Sequence, residues 1–319
     1  MNEMIDLAKL QHDAARLVET ALAAGADSCD CIVARSQSLS VGVREEKVED
    51  TNRSEKDSMT LRVFCGNRIA SVNSNAMDNP LELAERAVAM AKVSPEDKFQ
   101  GLAPSDLLTR DFPDLDLADT KTPDAENLVE KALACEAAGL SVEGVQKSMG
   151  AGAGWGVSGF VLATSDGFEG NYSVSRFGTS AAMVAGTGTS MERDYESRSS
   201  VHDSDLPDPA EIGRLAGERT VRRIGPRQAR SGKAPIVVDR RVAGSILGGM
   251  MGAINGAAVA RKTSFLRDQM GKQIANQAIT IRDNPLKTRG LGSSPFDGEG
   301  MANVELVPVE EGILRDWLL

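Results

Sequence analysis

A chain of 319 residues with 41% apolar content can form two domains, or one large one, around an ordinary core. Its formal net charge of −10 argues against wholesale nucleic-acid binding and against docking to an anionic membrane surface. Aromatics make up only 4%, too few for a stacking platform on single strands.

The first ten residues carry acids and no continuous apolar run, so no signal peptide is expected. Residues 4–24 predict an amphipathic helix. Leu7, Leu10, Ala14, Leu17, Val18 and Ala21 recur at three and four, and Gly25 follows as a stop. Residues 29–35 and 38–44 read as two strands, and 45–56 as an exposed continuation. Leu61, Val63 and Cys65 alternate into a C-G-N-R turn at 65–68 and a further strand at 69–72. Connections this short imply an antiparallel meander.

Asn79-Pro80 opens a helix with Leu83, Ala84, Ala87, Val88 and Ala91 on one face. Residues 94–122, with three prolines and many aspartates, predict a wrapped connection. Thr122-Pro123 begins a helix ending near Gly139. From 142 to 195 the pattern is β-rich, with a hairpin turn at Asp166-Gly167. The glycine run at 150–159 lacks G-K-[ST] and opens no helix, so close strand packing is the better reading than phosphate binding. Asp208-Pro209-Ala210-Glu211 is a capping box. A basic stretch follows, with Arg222, Arg223, Arg227, Arg230 and Lys233, read as a solvated interdomain joint.

A second domain is expected over 231–319, after an N-terminal domain over 1–230. It starts with Ile236-Val237-Val238, a candidate buried strand, and runs into an uncharged stretch from Val242 to Ala260. Glycines at 244, 248, 252 and 256 fall on one slowly drifting helical stripe. A membrane span is the weaker reading of this stretch and a tightly packed soluble core helix the stronger. An amphipathic stretch at 264–274, a strand at 278–282, a polar glycine-rich loop at 290–300 and a strand at 303–309 complete the chain. The fold class expected is α+β: an antiparallel sheet with flanking helices, then a β-rich domain containing a buried Gly-rich helix.

Candidate chemistry is sparse. Cys29, Cys31, Cys65 and Cys135 show no framework spacing and read as reduced thiols, mostly buried. His12 and His202 each read as surface residues, and no zinc-protease or Ser/His/Asp signature can be built from sequence neighbours. Asp239, Asp297 and Glu299 are the best carboxylates for acid–base work or a hard cation. Turn capping competes with both uses. Asn255, on the uncharged stretch, is a further candidate for lining a cleft.

The stretches P-I-V-V-D-R-R-V-A-G-S-I-L-G-G, S-F-L-R-D-Q-M-G-K-Q-I and G-L-G-S-S-P-F-D-G-E-G resemble the TldD/PmbA (TldE) family of two-subunit bacterial metallopeptidases. In that family's TldD subunits the helix carries H-E-x-x-x-H, which binds zinc. Laid on without gaps, those positions fall on Gly248, Gly249 and Ala253, none with a donor atom. The resemblance therefore points to the PmbA (TldE) side, with no cofactor in this chain and zinc in a TldD-type partner. It implies a cytoplasmic heteromer that encloses a cleft, holds an unfolded peptide by strand addition and leaves hydrolysis to the partner. Relatives run well beyond position 319, so the second domain is expected to be incomplete relative to the family. Two other classes stay open: a self-associating binding protein using the glycine stripe as a homodimer surface, and a hydrolase using Asp239, Asp297 or Glu299.

Overall fold

The computed structural model describes residues 5–76 and 78–318. Met4, where the first helix was expected to begin, and Leu319 lie outside them. The chain divides into two compact units. The first comprises residues 1–226 and 287–303, the second 227–286 and 304–319.

In the first unit, α1 (Leu7–Ala23) is capped by the Asp6 carboxylate, which accepts from Lys9 N. It buries Leu10, Ala14, Leu17, Val18 and Ala21. The three- and four-residue spacing had placed these five on one face. Each large aliphatic side chain removed from water there contributes about 1.5–3 kcal/mol. Gly25, at φ 100°, then turns the chain where an L side chain would be strained.

The two strands expected at 29–35 and 38–44 are one, β1 (Ser28–Arg44). The polar Ser36-Gln37 suggests a break, but both residues continue the ladder, half-buried, between two neighbours. β2 (Lys47–Cys65), β3 (Arg68–Ser74), β4 (Val145–Thr164), β5 (Glu169–Ala185) and β6 (Glu192–Ser200) complete an antiparallel sheet in the order β3-β2-β1-β4-β5-β6. Helices α2 (Pro80–Val93), α3 (Ala125–Leu140) and α4 (Pro209–Arg222) start at Asn79, Asp124 and Asp208, whose side chains accept backbone N–H bonds.

Odd-numbered residues of β1 and β4 point into two adjoining cores. Cys29, Cys31, Val33, Val157 and Val161 meet α1 and α2. Val41, Val43, Ala151 and Ala153 meet α3 and α4. Trp155 packs against both, and its indole N–H donates to Pro123 O at 2.7 Å. The helices therefore share one face of the sheet.

The opposite face is stripped of large side chains where Ser40, Gly154, Gly178 and Ser199 lie side by side across four strands. The adjoining row is Gly42, Gly152, Ser180 and Ser197. The glycine run at 150–159 is thus a strand surface, with a shallow 510 Å³ trough above it. At its other end the same face is covered by Phe296 from the 287–303 segment, which packs edge-on against Phe168 and Tyr172.

In the second unit, α5 (Arg240–Ala253) and α6 (Gly256–Ala260) precede a small sheet of β7 (Ile281–Asp283), β8 (Leu306–Glu310) and β9 (Ile313–Leu314). Its core is Ala253, Ile254, Leu266, Val309 and Leu314. Two expectations are corrected here. Ile236 and Val237 form no strand and are 85% and 96% exposed, because a strand needs a neighbour to pair with and they have none among the described residues. The amphipathic stretch at 264–274 forms mostly turns, with Leu266 buried. The glycine-rich helix exists, but only its C-terminal end is buried. A Cβ placed on Gly244, Gly248, Gly249 or Gly252 would meet nothing within 4 Å. Apolar composition alone does not say what lies opposite a helix. No helix among the described residues is long and apolar enough to cross a membrane.

Candidate functional site

The residues singled out in the sequence fall into two groups. Asp239, Gly248, Gly249, Ala253 and Asn255 belong to the second unit, Asp297 and Glu299 to the first.

Asp239 is the N-cap of α5. Its Oδ1 accepts from Arg241 N at 2.9 Å, and that backbone bond, helped by the Arg241 and Arg240 charges, holds its carboxyl below the usual range. Asn255 caps α6, its side-chain oxygen accepting from Ala258 N at 3.2 Å. Both side chains are spent on helix starts. Between them, Gly248 and Gly249 are exposed and Ala253 is buried.

The H-E-x-x-x-H pattern that the resemblance implies would put imidazole donors for zinc at 248 and 253 and a carboxylate beside them at 249. There is open space above the glycines, so room is not the obstacle. Two hydrogens and a methyl group supply no lone pair, and the nearest carboxylate before them, Asp239, already caps the helix. These residues do not fit a metal. Among the described residues no group of three or more His, Cys, Asp or Glu is arranged to hold one.

In the first unit, Asp297 organises its own loop. Its Oδ1 accepts from Glu299 N at 2.9 Å and Met301 N at 2.8 Å, while its N–H donates to Met301 O at 3.1 Å. Glu299 Oε1 lies 3.4 Å from Arg62 Nη2. Arg62 in turn donates from Nε to both oxygens of buried Asp30, at 3.1 and 2.9 Å, and lies over the Phe64 ring at 5.4 Å. The Asp30 hydrogen bond raises the Arg62 guanidinium above its ordinary value, against the pull of burial. Neither Asp297 nor Glu299 is poised as an acid–base pair: one is bonded to two backbone N–H groups, the other shares a cation. Beside Asp297 lies a cavity of 160 Å³ walled by Ile32, Phe160, Tyr172 and Phe296.

A second cluster escaped sequence reasoning. His202, expected at the surface, is buried. Its Nε2 lies 3.0 Å from Asp116 O and 3.1 Å from Asp116 Oδ1, and its Nδ1 lies 3.8 Å from Asp119 Oδ2. The local sequence V-H-D-S-D is polar, but the 94–122 connection wraps over it. Asp203 pairs with Lys121 and Lys131 and holds its carboxyl low through them despite the opposing effect of burial. Arg289 bridges Asp116 and Asp205. The alternating acids of 114–119 were the only available signal. A further cavity, of 840 Å³, lies against β4, β5 and β6, lined by Lys147, Met149, Met191, Tyr195 and Arg223.

Family models for domain 1, the central domain and the C-terminal domain of the PmbA/TldA metallopeptidases match residues 29–91, 118–224 and 231–319. The metalloprotease PmbA of Escherichia coli O157:H7 is 32% identical over 305 residues, covering 93% of this chain and 67% of its own length. The PmbA homologue of Haemophilus influenzae is 30% identical over 305 residues, covering 95% and 67%. This chain thus spans about two thirds of the length of these curated relatives. A proposed modulator of DNA gyrase from Bacteroides thetaiotaomicron superposes with a TM-score of 0.91 at 25% identity, covering 98% of this chain and 72% of that one. TldE from Thermococcus kodakarensis, at 17% identity, shares the fold with a TM-score of 0.76, covering 96% and 69%. With three consecutive family domains matched along it and PmbA relatives at this level of identity, the chain belongs to the PmbA/TldD metallopeptidase family, on its PmbA (TldE) side.

Proposed function

We propose that this chain is the non-metal-binding subunit of a cytoplasmic TldD/TldE-like metalloprotease, paired with a TldD-type subunit that carries H-E-x-x-x-H. One observation carries the reading: Gly248, Gly249 and Ala253 stand at the donor positions on α5 within a chain that otherwise matches the family domain by domain. In this reading the chain encloses a cleft with its partner and holds an unfolded peptide there as an added strand. It takes no part in activating water. The use of Asp239, Asp297 or Glu299 as an independent hydrolytic set is disfavoured, because two of them cap backbone N–H groups and the third shares Arg62.

The test is reconstitution. The purified chain alone is expected to carry no stoichiometric zinc and to leave an unstructured peptide intact. Co-expressed with an H-E-x-x-x-H homologue, it should co-purify with it, and the complex should cleave the peptide in a chelator-sensitive way. Stoichiometric zinc together with cleavage by this chain alone would overturn the assignment.

A further inference from the structure

β2 is 19 residues long, but β3 pairs only with its second part, from Met59 to Cys65. Along Lys47–Ser58 the inner edge is paired with β1. The outer edge of that stretch has no strand partner among the described residues, and its side chains are exposed up to Lys56. An unpaired strand edge is a template for another strand unless something blunts it. The opposite margin of the sheet is blunted: on β6, Tyr195 N donates to Asp194 Oδ1 and Ser197 O accepts from Arg198. No equivalent backbone cap occurs on Lys47–Ser58 among the described residues.

This edge is also held in place. The turn before it, Glu45-Glu46, has both residues at positive φ, 54° and 63°. Its two N–H groups donate to the carboxylate of buried Glu136 on α3, at 3.1 and 2.9 Å. At the far end Arg35 grips Asp57 through two bonds of 2.6 and 2.7 Å. Between these anchors the ladder slips once: Gly42 faces Asp50 and Val43 faces Val48, which leaves Glu49 unopposed. The regular edge is therefore Asp50 to Ser58, read D-T-N-R-S-E-K-D-S.

Its charge pattern selects a partner. Pairing this segment antiparallel with itself about Ser54 sets Arg53 opposite Glu55 twice, Asn52 opposite Lys56, Thr51 opposite Asp57, and Asp50 opposite Ser58. No like charges meet. Moving the centre half a residue or one residue towards the N-terminus sets Asp50 against Asp57 or Arg53 against Arg53. The same shifts towards the C-terminus set Arg53 against Lys56 or Glu55 against Glu55. Direct cross-strand pairs of opposite charge stabilise a sheet and like charges oppose it.

We propose that two copies of this chain join through the outer edges of β2, antiparallel and in register on Ser54, making one continuous sheet across a two-fold axis. Arg53 and Glu55, now paired with each other within one chain, exchange partners across that axis. This surface is distinct from the glycine stripe of α5, and the inference does not rest on the pairing with a zinc subunit.

Sedimentation equilibrium of the full chain tests it. A dimer is expected for the native protein. Arg53→Glu should weaken it by about tenfold or more, since both cross-axis attractions become repulsions. Arg53→Glu with Glu55→Arg should restore it, while far-UV circular dichroism stays native throughout. In a Cys65→Ser background, Ser54→Cys should form an intermolecular disulfide under mild oxidation, because directly opposed residues fall within bridging distance. A monomer throughout the micromolar range, a dimer insensitive to Arg53→Glu, or no cross-link at position 54 would each overturn the proposal. So would an Arg53→Glu variant that changes only peptide or zinc-subunit binding. A dimer that forms here without recruiting a zinc subunit upholds this inference and counts against the proposed function instead.

Discussion

Arg289 Nε lies 2.5 Å from Asp116 Oδ2, and both residues adopt positive φ, 53° and 49°. Non-glycine residues rarely sit there without compensation. The compensation here is mutual. Arg289 N also donates to Leu115 O at 2.8 Å, and its Nη1 reaches Asp205 at 3.1 Å. The pair ties the 287–303 segment, which carries Phe296 and Asp297, to the connection wrapped over His202.

The first prediction concerns that tie. The Arg289 hydrogen bond, helped by the His202 and Arg289 charges, keeps the Asp116 carboxyl below its ordinary range. A lowered carboxyl contributes stability that is present above its unfolded-state value and is lost as pH falls through the lowered one. Hydrogen exchange over Leu291–Met301 is therefore expected to stay slow from neutrality down to mildly acidic pH and to quicken only below the ordinary aspartate range. Arg289→Gln should show fast exchange at neutral pH already. Unchanged exchange in that variant would show that Phe296 packing alone holds the segment.

Thiol chemistry gives a second prediction. Burial pushes the Cys29 and Cys135 thiols up to about 12, with neighbouring Asp30 and Glu136 adding to it, and raises Cys31 further still. Cys65 is only half-buried. Alkylation of the native protein at mildly alkaline pH should label Cys65 alone, and all four cysteines should react in denaturant. Mass spectrometry of the labelled chain checks this. Rapid native labelling of Cys31 would mean that α1 does not cover β1 as described.

The Glu45-Glu46 turn supports a third. Glu136→Leu would leave two turn N–H groups without their acceptor, a loss of about 1–3 kcal/mol. Glu136→Gln keeps one acceptor oxygen and should lose less. Urea denaturation of the two variants should rank them in that order. Replacing Glu45-Glu46 with Asn-Gly, which tolerates positive φ at both positions, should be neutral or stabilising while Glu136 is kept.

Much of the first unit was legible in the sequence because its signals are local. α1, α2, α3 and α4 each pair a cap residue with a three-four apolar repeat, and the turns at Gly66-Asn67 and Asp166-Gly167 carry their own chemistry. What escaped depends on distant partners. His202 is buried by a connection more than eighty residues earlier in the chain. Ile236–Val238 has a strand's composition and no strand to pair with. Asp297 and Glu299 were recognisable as a polar loop, but their engagement with the loop backbone and with Arg62 was not.

The glycines show the same division, and they furnish the last prediction. Period-four spacing suggests close helix packing along 244, 248, 252 and 256, and the first three of these face open space. The close packing lies instead where α3 crosses α4. A Cβ on Gly213 would fall inside the Cys135 carbonyl, and one on Gly217 would lie 2.8 Å from Gly139 O. Those neighbours are backbone and cannot rotate away, so Gly213→Ala must separate the helices. The Leu128, Ala132 and Ile212 contacts of that core then weaken, at about 1–3 kcal/mol for an overpacked site. Gly248→Ala meets open space in an exposed helix, where alanine is favoured by about 0.8–1 kcal/mol. Gly213→Ala should therefore lower the urea midpoint, and Gly248→Ala should leave it unchanged or raise it. If Gly248→Ala were instead the damaging substitution, α5 would be packed against a surface in solution, and its exposure as described would be wrong.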